Sequence, residues 1–251
     1  MPIGVLNKSI LHIYGDSAET LLNGLITQDI SLLEKQNSIY SLFLNNKGRV
    51  LFSCIIYKLE QNSYAIEIEQ ELLMDLAKHI HKYDLSKKAE LSILEDKAIA
   101  ISFDEIDKLD IDPRNEKLGY RGLVAKNTSS DNSVIEKYED LRLELAIPNN
   151  NDFIKEKSLA NDLNIEELNG VCFNKGCYLG QELTSKTKHI KQTKNHLVSL
   201  DNTKYNIKQN NLTIYVEDVK VGYTFSYNCK FVLAIIKRSV ESYDNLTFKA
   251  E

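Results

Sequence analysis

The stretch KGCYLGQEL, Lys175 to Leu183, decides how this chain is read. Gly176 and Gly180 bracket Cys177, and glycines so placed mark a sharp bend or a close approach of backbone. Gln181 and Glu182 follow, and an acid there suits the first turn of a helix. The segment predicts a tight loop running into a short helix, with Cys177 on the loop. Lys175 nearby, and the helix N-terminus, would each favour a thiolate. A solitary cysteine is also an ordinary small core residue, so residue chemistry alone leaves both readings open.

On the N-terminal side, apolar spacing sorts the chain into mixed elements. Lys8–Tyr14 alternates as a strand. Asp16-Ser17-Ala18-Glu19 resembles a capping box and opens a helix over Ser17–Ile26. Ser38–Leu44 and Arg49–Tyr57 are strand-like runs joined by Asn45-Asn46-Lys47-Gly48, a hairpin turn. Tyr64–Ile68 alternates again, and Leu72, Leu73, Leu76 and Ile80 give an amphipathic helix over about Gln70–His81. Ala89–Leu94 and Ala98–Phe103 read as a second strand pair. Ser133–Glu136 is a second capping pattern, heading a helix whose stripe is Val134, Tyr138, Leu141 and Leu145, with Pro148 as its stop. After Leu197 come five short strands and no helix signal: Leu197–Leu200, Leu212–Tyr215, Lys220–Ser226, Phe231–Ile236 and Leu246–Lys249. Strands and helices that mix without regular alternation predict an α+β class, and the strand-only end a small barrel or sandwich.

Five segments carry a family resemblance. KGCYLGQE resembles the signature octapeptide of the YgfZ family of folate-binding proteins, which are similar in fold to the glycine-cleavage T-protein, an aminomethyltransferase. GLITQDI at Gly24–Ile30, LNNKGRVL at Leu44–Leu51, DPRNEKLGYR at Asp112–Arg121 and LRLELAIP at Leu141–Pro148 resemble that family's other segments, in its order. The resemblance runs from about Gly24 to Leu197. It implies a T-protein-like ring of subdomains with a C-terminal β-barrel: an α+β body over 1–196 and the barrel over 197–251. It also implies tetrahydrofolate, or a one-carbon derivative, in a central opening with Cys177 at its rim. The implied role is support of iron–sulfur cluster assembly or repair in client enzymes, including tRNA-modifying ones.

Site expectations follow from residues and resemblance together. Cys177 and Lys175 are the candidates for chemistry. Glu144, in its Arg142-x-Glu144 setting, is implied to hold the pterin, because a carboxylate can accept paired hydrogen bonds from an aminopyrimidine. Tyr178, Gln181, Glu182, Arg49 and Arg121 complete the candidate ligand set, with Lys47 and Arg114 as further cations for a folate tail. Each charged member is equally an ordinary solvated residue. The strip Lys186, Lys188, His189, Lys191, Lys194 and His196 is a solvated face or an anion surface. The chain departs from the family at Ala146 (usually Gly), Lys186 (usually Arg), and Ile190 and Lys191 (usually Arg-Gly). A true aminomethyltransferase is the first rival, but that family usually has Asp at the position of Cys177, so whether the chain is an enzyme stays open. A ligand-free interaction module is the second.

Bulk properties bound the rest. With 43% hydrophobic and 27% charged residues the chain reads as globular. A net charge of −5 argues against charge-driven nucleic-acid binding. Runs such as Phe231–Ile236 are too short to span a bilayer, and the N-terminus MPIGVLNKSI lacks a signal-peptide apolar core. Four scattered cysteines with no C-x-x-C predict reduced thiols, no preformed metal site and a cytoplasmic location.

Overall fold

The computed structural model describes residues 1–189 and 194–250, with the side chains of 187–189 outside that description. Three antiparallel sheets organise them. The first has the order β3 (Ser38–Leu44), β4 (Val50–Glu60), β5 (Ser63–Ile68), β2 (Ser9–Tyr14), β6 (Glu90–Ile93). The second runs β1 (Gly4–Leu6), β7 (Lys97–Ser102), β9 (Tyr120–Ala125), β8 (Asp110–Ile111). The third runs β10 (Asn195–Asp201), β13 (Phe231–Lys237), β12 (Val219–Tyr227), β11 (Thr213–Val216), β14 (Thr247–Lys249).

The period of two along each strand decides which face meets what. Leu11, Ile13, Tyr64, Ile66 and Ile56 share one face of the first sheet, under helices α1 (Ala18–Leu25) and α2 (Leu73–Tyr83). Ile10, Tyr40, Leu42, Ile55 and Ala65 share the other. They pack toward Ile99 and Ile101 of the second sheet and Val134 and Tyr138 of α3 (Asn132–Glu144). Each fully buried Leu or Ile here contributes roughly 1.5–3 kcal/mol. Glu67 follows Ala65 by two, so alternation carries its carboxylate into the layer between the sheets. It is buried there.

All five strands expected after residue 197 are present. Their sheet works on both faces. Leu197, Phe225, Leu233 and Ile235 join the body's core, while Leu200, Val232, Ala234 and Ile236 enclose a core of their own with Ile214 and Leu246. Register shifts at Ile214/Tyr215 and Thr224/Tyr227 bend the strands.

Four local expectations change. The two runs expected as a second strand pair lie in different sheets: β6 pairs with β2, and β7 pairs with β1 and β9. The reason is burial. Ala98–Ser102 of β7 is wholly buried and takes a central position, whereas β6 is largely exposed and closes an edge. Ser17 makes no side-chain cap of α1. Helix α3 is capped by Asp131, whose carboxylate accepts from the Ser133 N–H at 2.9 Å. It stops before Pro148, where Ala146 N–H meets Leu143 O and Ile147 N–H meets Arg142 O. This is a Schellman ending with Ala146 at φ +51°, the left-handed position that normally takes glycine. Finally, the expected helix from Gln70 begins as a 3-10 turn over Gln70–Leu72.

Candidate functional site

Three of the sequence segments meet at the signature loop. The Lys175 ammonium donates to the carbonyls of Asn23 at 2.7 Å, Ile26 at 3.1 Å and Gln28 at 2.7 Å. Leu179 N–H donates to Gly24 O, and Cys172 N–H to Thr27 O. The GLITQDI segment is therefore the template on which the loop is laid. The β3–β4 turn closes it from the other side. A Cβ on Gly180 (φ +81°) would stand 2.6 Å from the Asn45 carbonyl oxygen and 3.0 Å from the Gly48 Cα. Only glycine permits that approach. Helix α4 (Gln181–His189) leaves from this contact.

So held, the loop leaves the Cys177 thiol exposed. It borders a shallow concavity with Asn46, Gln181, Glu182, Ser185 and Lys186. Lys175 does not serve it as a neighbouring charge. Its ammonium is turned into the backbone carbonyls, and burial pushes it down to about 8. Nor does Cys177 stand at the start of α4, which begins four residues later. Lys175 is an anchor of the loop. Tyr178 is a second one: it is buried in the core, and burial pushes its hydroxyl up to about 12. Gln181 is half-buried, and Glu182 pairs with Lys186 one helical turn on, at 2.6 Å.

A separate cavity of about 290 Å³ lies between the first two sheets and α3. Beside it sits a buried cluster of two arginines and two acids. The Arg121 Nε donates to Glu67 at 3.0 Å, and its Nη1 to Asp112 at 3.3 Å and to the Tyr138 hydroxyl at 2.8 Å. Arg114 grips Asp112 through Nε at 2.9 Å and Nη2 at 2.6 Å, and donates to the same hydroxyl at 2.6 Å. Burial pushes both acids up. The arginine charges and hydrogen bonds more than reverse this, leaving Glu67 and Asp112 below their ordinary values. The four charges cancel. Arg114 and Arg121 are thus committed to this cluster and are not free cations for a folate tail, as their sequence setting had suggested. The less committed groups at the cavity are Glu69, paired with Lys8 and Asn150, and Glu139.

Helix geometry revises the Arg142–Glu144 expectation. Residues two apart point to different sides of a helix. Arg142 is buried, its Nη1 donating to Asp152 at 2.8 Å and its Nε to Glu139 at 2.8 Å. Glu139, three residues earlier, therefore shares its face and lines the cavity, whereas Glu144 is exposed and does not. Arg49 also lies elsewhere: its Nη1 donates to the Lys157 carbonyl at 2.7 Å. Lys47 is exposed at the turn tip. Of the basic strip, Lys191 and the side chains of Lys188 and His189 lie outside the described residues, as does Ile190. His196 Nε2 sits 3.0 Å from the Tyr243 hydroxyl. Glu144 borders neither concavity and Cys177 borders only the shallow one, so the two are not brought together at one rim.

Sequence reasoning missed Glu67, Asp112, Tyr138 and Glu69. The signal for Glu67 was present, as a charge on an otherwise apolar alternating strand. That for Asp112 lay in the quoted DPR segment, where only the arginines were weighed.

No protein-family model matches the chain. Among curated proteins it is 30% identical over 216 residues to the iron-sulfur cluster assembly factor IBA57 homolog, mitochondrial, of Neurospora crassa, covering 73% of this chain and 49% of that protein. The protein of the same name from Dictyostelium discoideum is 28% identical over 240 residues, covering 72% and 57%. The similarity to those assembly factors runs over about three quarters of this chain. It spans about half the length of the curated relatives it matches. Its fold is that of the T-protein: the crystal structure of the glycine cleavage system aminomethyltransferase T from Bartonella henselae superposes with a TM-score of 0.72 at 13% identity, covering 100% of this chain and 82% of that one. The resemblance read from KGCYLGQE, and the α+β T-protein-like class, are thereby borne out.

The expected cytoplasmic location is overturned. The relatives carry mitochondrial names from fungi to Dictyostelium discoideum, which points to a mitochondrial rather than a cytoplasmic setting. Free thiols separate reducing from oxidising compartments, and they do not separate one reducing compartment from another. Among the described residues no helix is long and apolar enough to cross a membrane.

Proposed function

We propose that this chain supports iron–sulfur cluster assembly in a mitochondrial setting, offering Cys177 to an assembly partner or a client enzyme. The observation that carries this is the signature loop, in a chain similar to named assembly factors. Three carbonyl acceptors and a glycine-to-glycine contact fix it so that the cysteine faces outward. A thiolate is a natural ligand for a cluster in transit. One cysteine leaves room for ligands from a second protein. Client enzymes that modify tRNA follow from the family resemblance.

We further propose that the cavity between the sheets holds the head of a reduced folate. Glu69 and Glu139 supply acceptors there, and Tyr40 and Tyr138 supply ring walls. Such a set suits a flat heterocycle with donors and acceptors on one edge. The cavity is near the lower end of small-molecule sites, about 300–1,000 Å³, which fits the ring with the rest of the folate outside. Calorimetry with tetrahydrofolate tests this. Glu69→Gln is expected to weaken binding by about 1–3 kcal/mol, and Glu144→Ala to leave it unchanged. The converse pattern rejects the placement. The assembly role is tested by whether the chain restores iron–sulfur enzyme activity in cells lacking their own such factor.

A further inference from the structure

A second concavity, of about 460 Å³, lies where the segment from Ile154 to Asp162 meets the C-terminal sheet. That volume is within the usual range of small-molecule sites. Its floor is apolar: Tyr223 and Phe225 at alternate positions of β12, Ile235 of β13, and Ile154. Its rim is cationic. Lys220 Nζ lies 4.3 Å over the Tyr223 ring, and Lys237 Nζ donates to the Lys220 carbonyl at 2.8 Å, so both ammonium groups are held at the edge. Lys157 stands exposed opposite, its carbonyl bound by Arg49. Asp162 is the one acid in the lining. It is 5% exposed, and its Oδ1 has no hydrogen-bond partner among the described residues. Burial pushes this acid up, partly opposed by hydrogen bonds from the Asn195 side chain and the Leu159 backbone and by the fields of Arg49 and Arg238. In a chain of net charge −5, a rim of three lysines over an apolar floor is a local reversal of sign.

We propose that this seam is a binding site for a small amphipathic anion: an aromatic or acyl body carrying a carboxylate, sulfonate or phosphate. The body lies on Tyr223, Phe225 and Ile235, and the anion meets the lysines. Asp162 sits at the wall with its Oδ1 open, which favours a ligand with a hydrogen-bonding group at its buried end.

Two dyes with one aromatic body test this on the full chain: anilinonaphthalene sulfonate, which is anionic, and N-phenyl-1-naphthylamine, which is neutral. Fluorescence titration is expected to show tighter binding of the sulfonate, weakening with salt. The triple variant Lys157→Gln/Lys220→Gln/Lys237→Gln should weaken the sulfonate about tenfold, equivalent to about 1.4 kcal/mol over three charges, and leave the neutral dye within about twofold. Ile154→Glu should weaken both. Unchanged sulfonate binding in the triple variant would overturn the proposal, as would equal weakening of the neutral dye.

Discussion

Replacing Arg121 by Met should cost this protein about 3–5 kcal/mol. The side chain is 2% exposed and makes four hydrogen bonds in the structure, two to Glu67, one to Asp112 and one to Tyr138. Methionine matches much of its length and removes all of its donors. Asp112 keeps Arg114, so most of the penalty falls on Glu67, which is left with the Tyr57 hydroxyl at 3.0 Å as its donor. Breaking a buried pair from one side typically costs about 3–5 kcal/mol, against a total stability of about 5–15 kcal/mol for a folded protein. The double variant Arg121→Met/Glu67→Leu removes both charges and should recover to within about 2 kcal/mol of wild type. Urea unfolding followed by circular dichroism and by tyrosine fluorescence gives the numbers, since the chain has 13 Tyr and no Trp. Coincident transitions are required before free energies are compared. A single variant within about 1 kcal/mol of wild type, or a double variant worse than the single, would refute the argument that this cluster is a closed ionic unit.

Acid should act on the same cluster. Glu67 and Asp112 are held below their ordinary values of 4.5 and 3.8, so below those values the unfolded chain binds more protons than the folded one. Their contribution is fully present above about pH 4.5 and is lost as pH falls below it, which denaturant midpoints at pH 7, 5, 4 and 3 should show as a level stretch and then a decline. Ala146→Gly relieves a left-handed alanine worth about 1–2 kcal/mol, offset by about 0.4–1 kcal/mol of extra unfolded-chain entropy. Melting should show a net gain of about 0.5–1 kcal/mol, and a loss would mean that the Schellman ending is not strained. Alkylation with iodoacetamide should label exposed Cys177 and Cys229 first and half-buried Cys172 later. Cys54, buried and with its thiol pushed up by burial, should react only on unfolding. Early labelling of Cys54 in mass spectra would contradict the packing of β4.

The elements were legible wherever periodicity was strong. The Ser38–Leu44 strand, α1 and the five C-terminal strands lie within a residue or two of where spacing puts them. Strand partnership was not legible. Nothing local to Ala89–Leu94 says that it pairs with β2, because that ladder is set by which strand needs burial on both faces. The loop around Cys177 could be inferred from its glycines, but the roles of its charges could not. Lys175 is three-fold bonded to carbonyls some 150 positions earlier in the chain, a contact that the chain's path creates. The placing of Glu144 was not legible from the R-x-E setting, because a helix turns residues two apart to different sides and leaves Glu144 exposed while Arg142 is buried.

If the anchored loop exists to present the thiol of Cys177, rescue by Cys177→Ser must fail. Serine keeps the size and the exposed position, so the melting temperature should stay within a degree or two of wild type for an exposed site. Iron–sulfur enzyme activity would be measured in cells lacking their own factor, with wild-type and variant chains expressed at equal levels. The expected outcome is full restoration by the wild-type chain and none by Cys177→Ser. Full rescue by the folded serine variant would contradict it, leaving Cys177 without a chemical role.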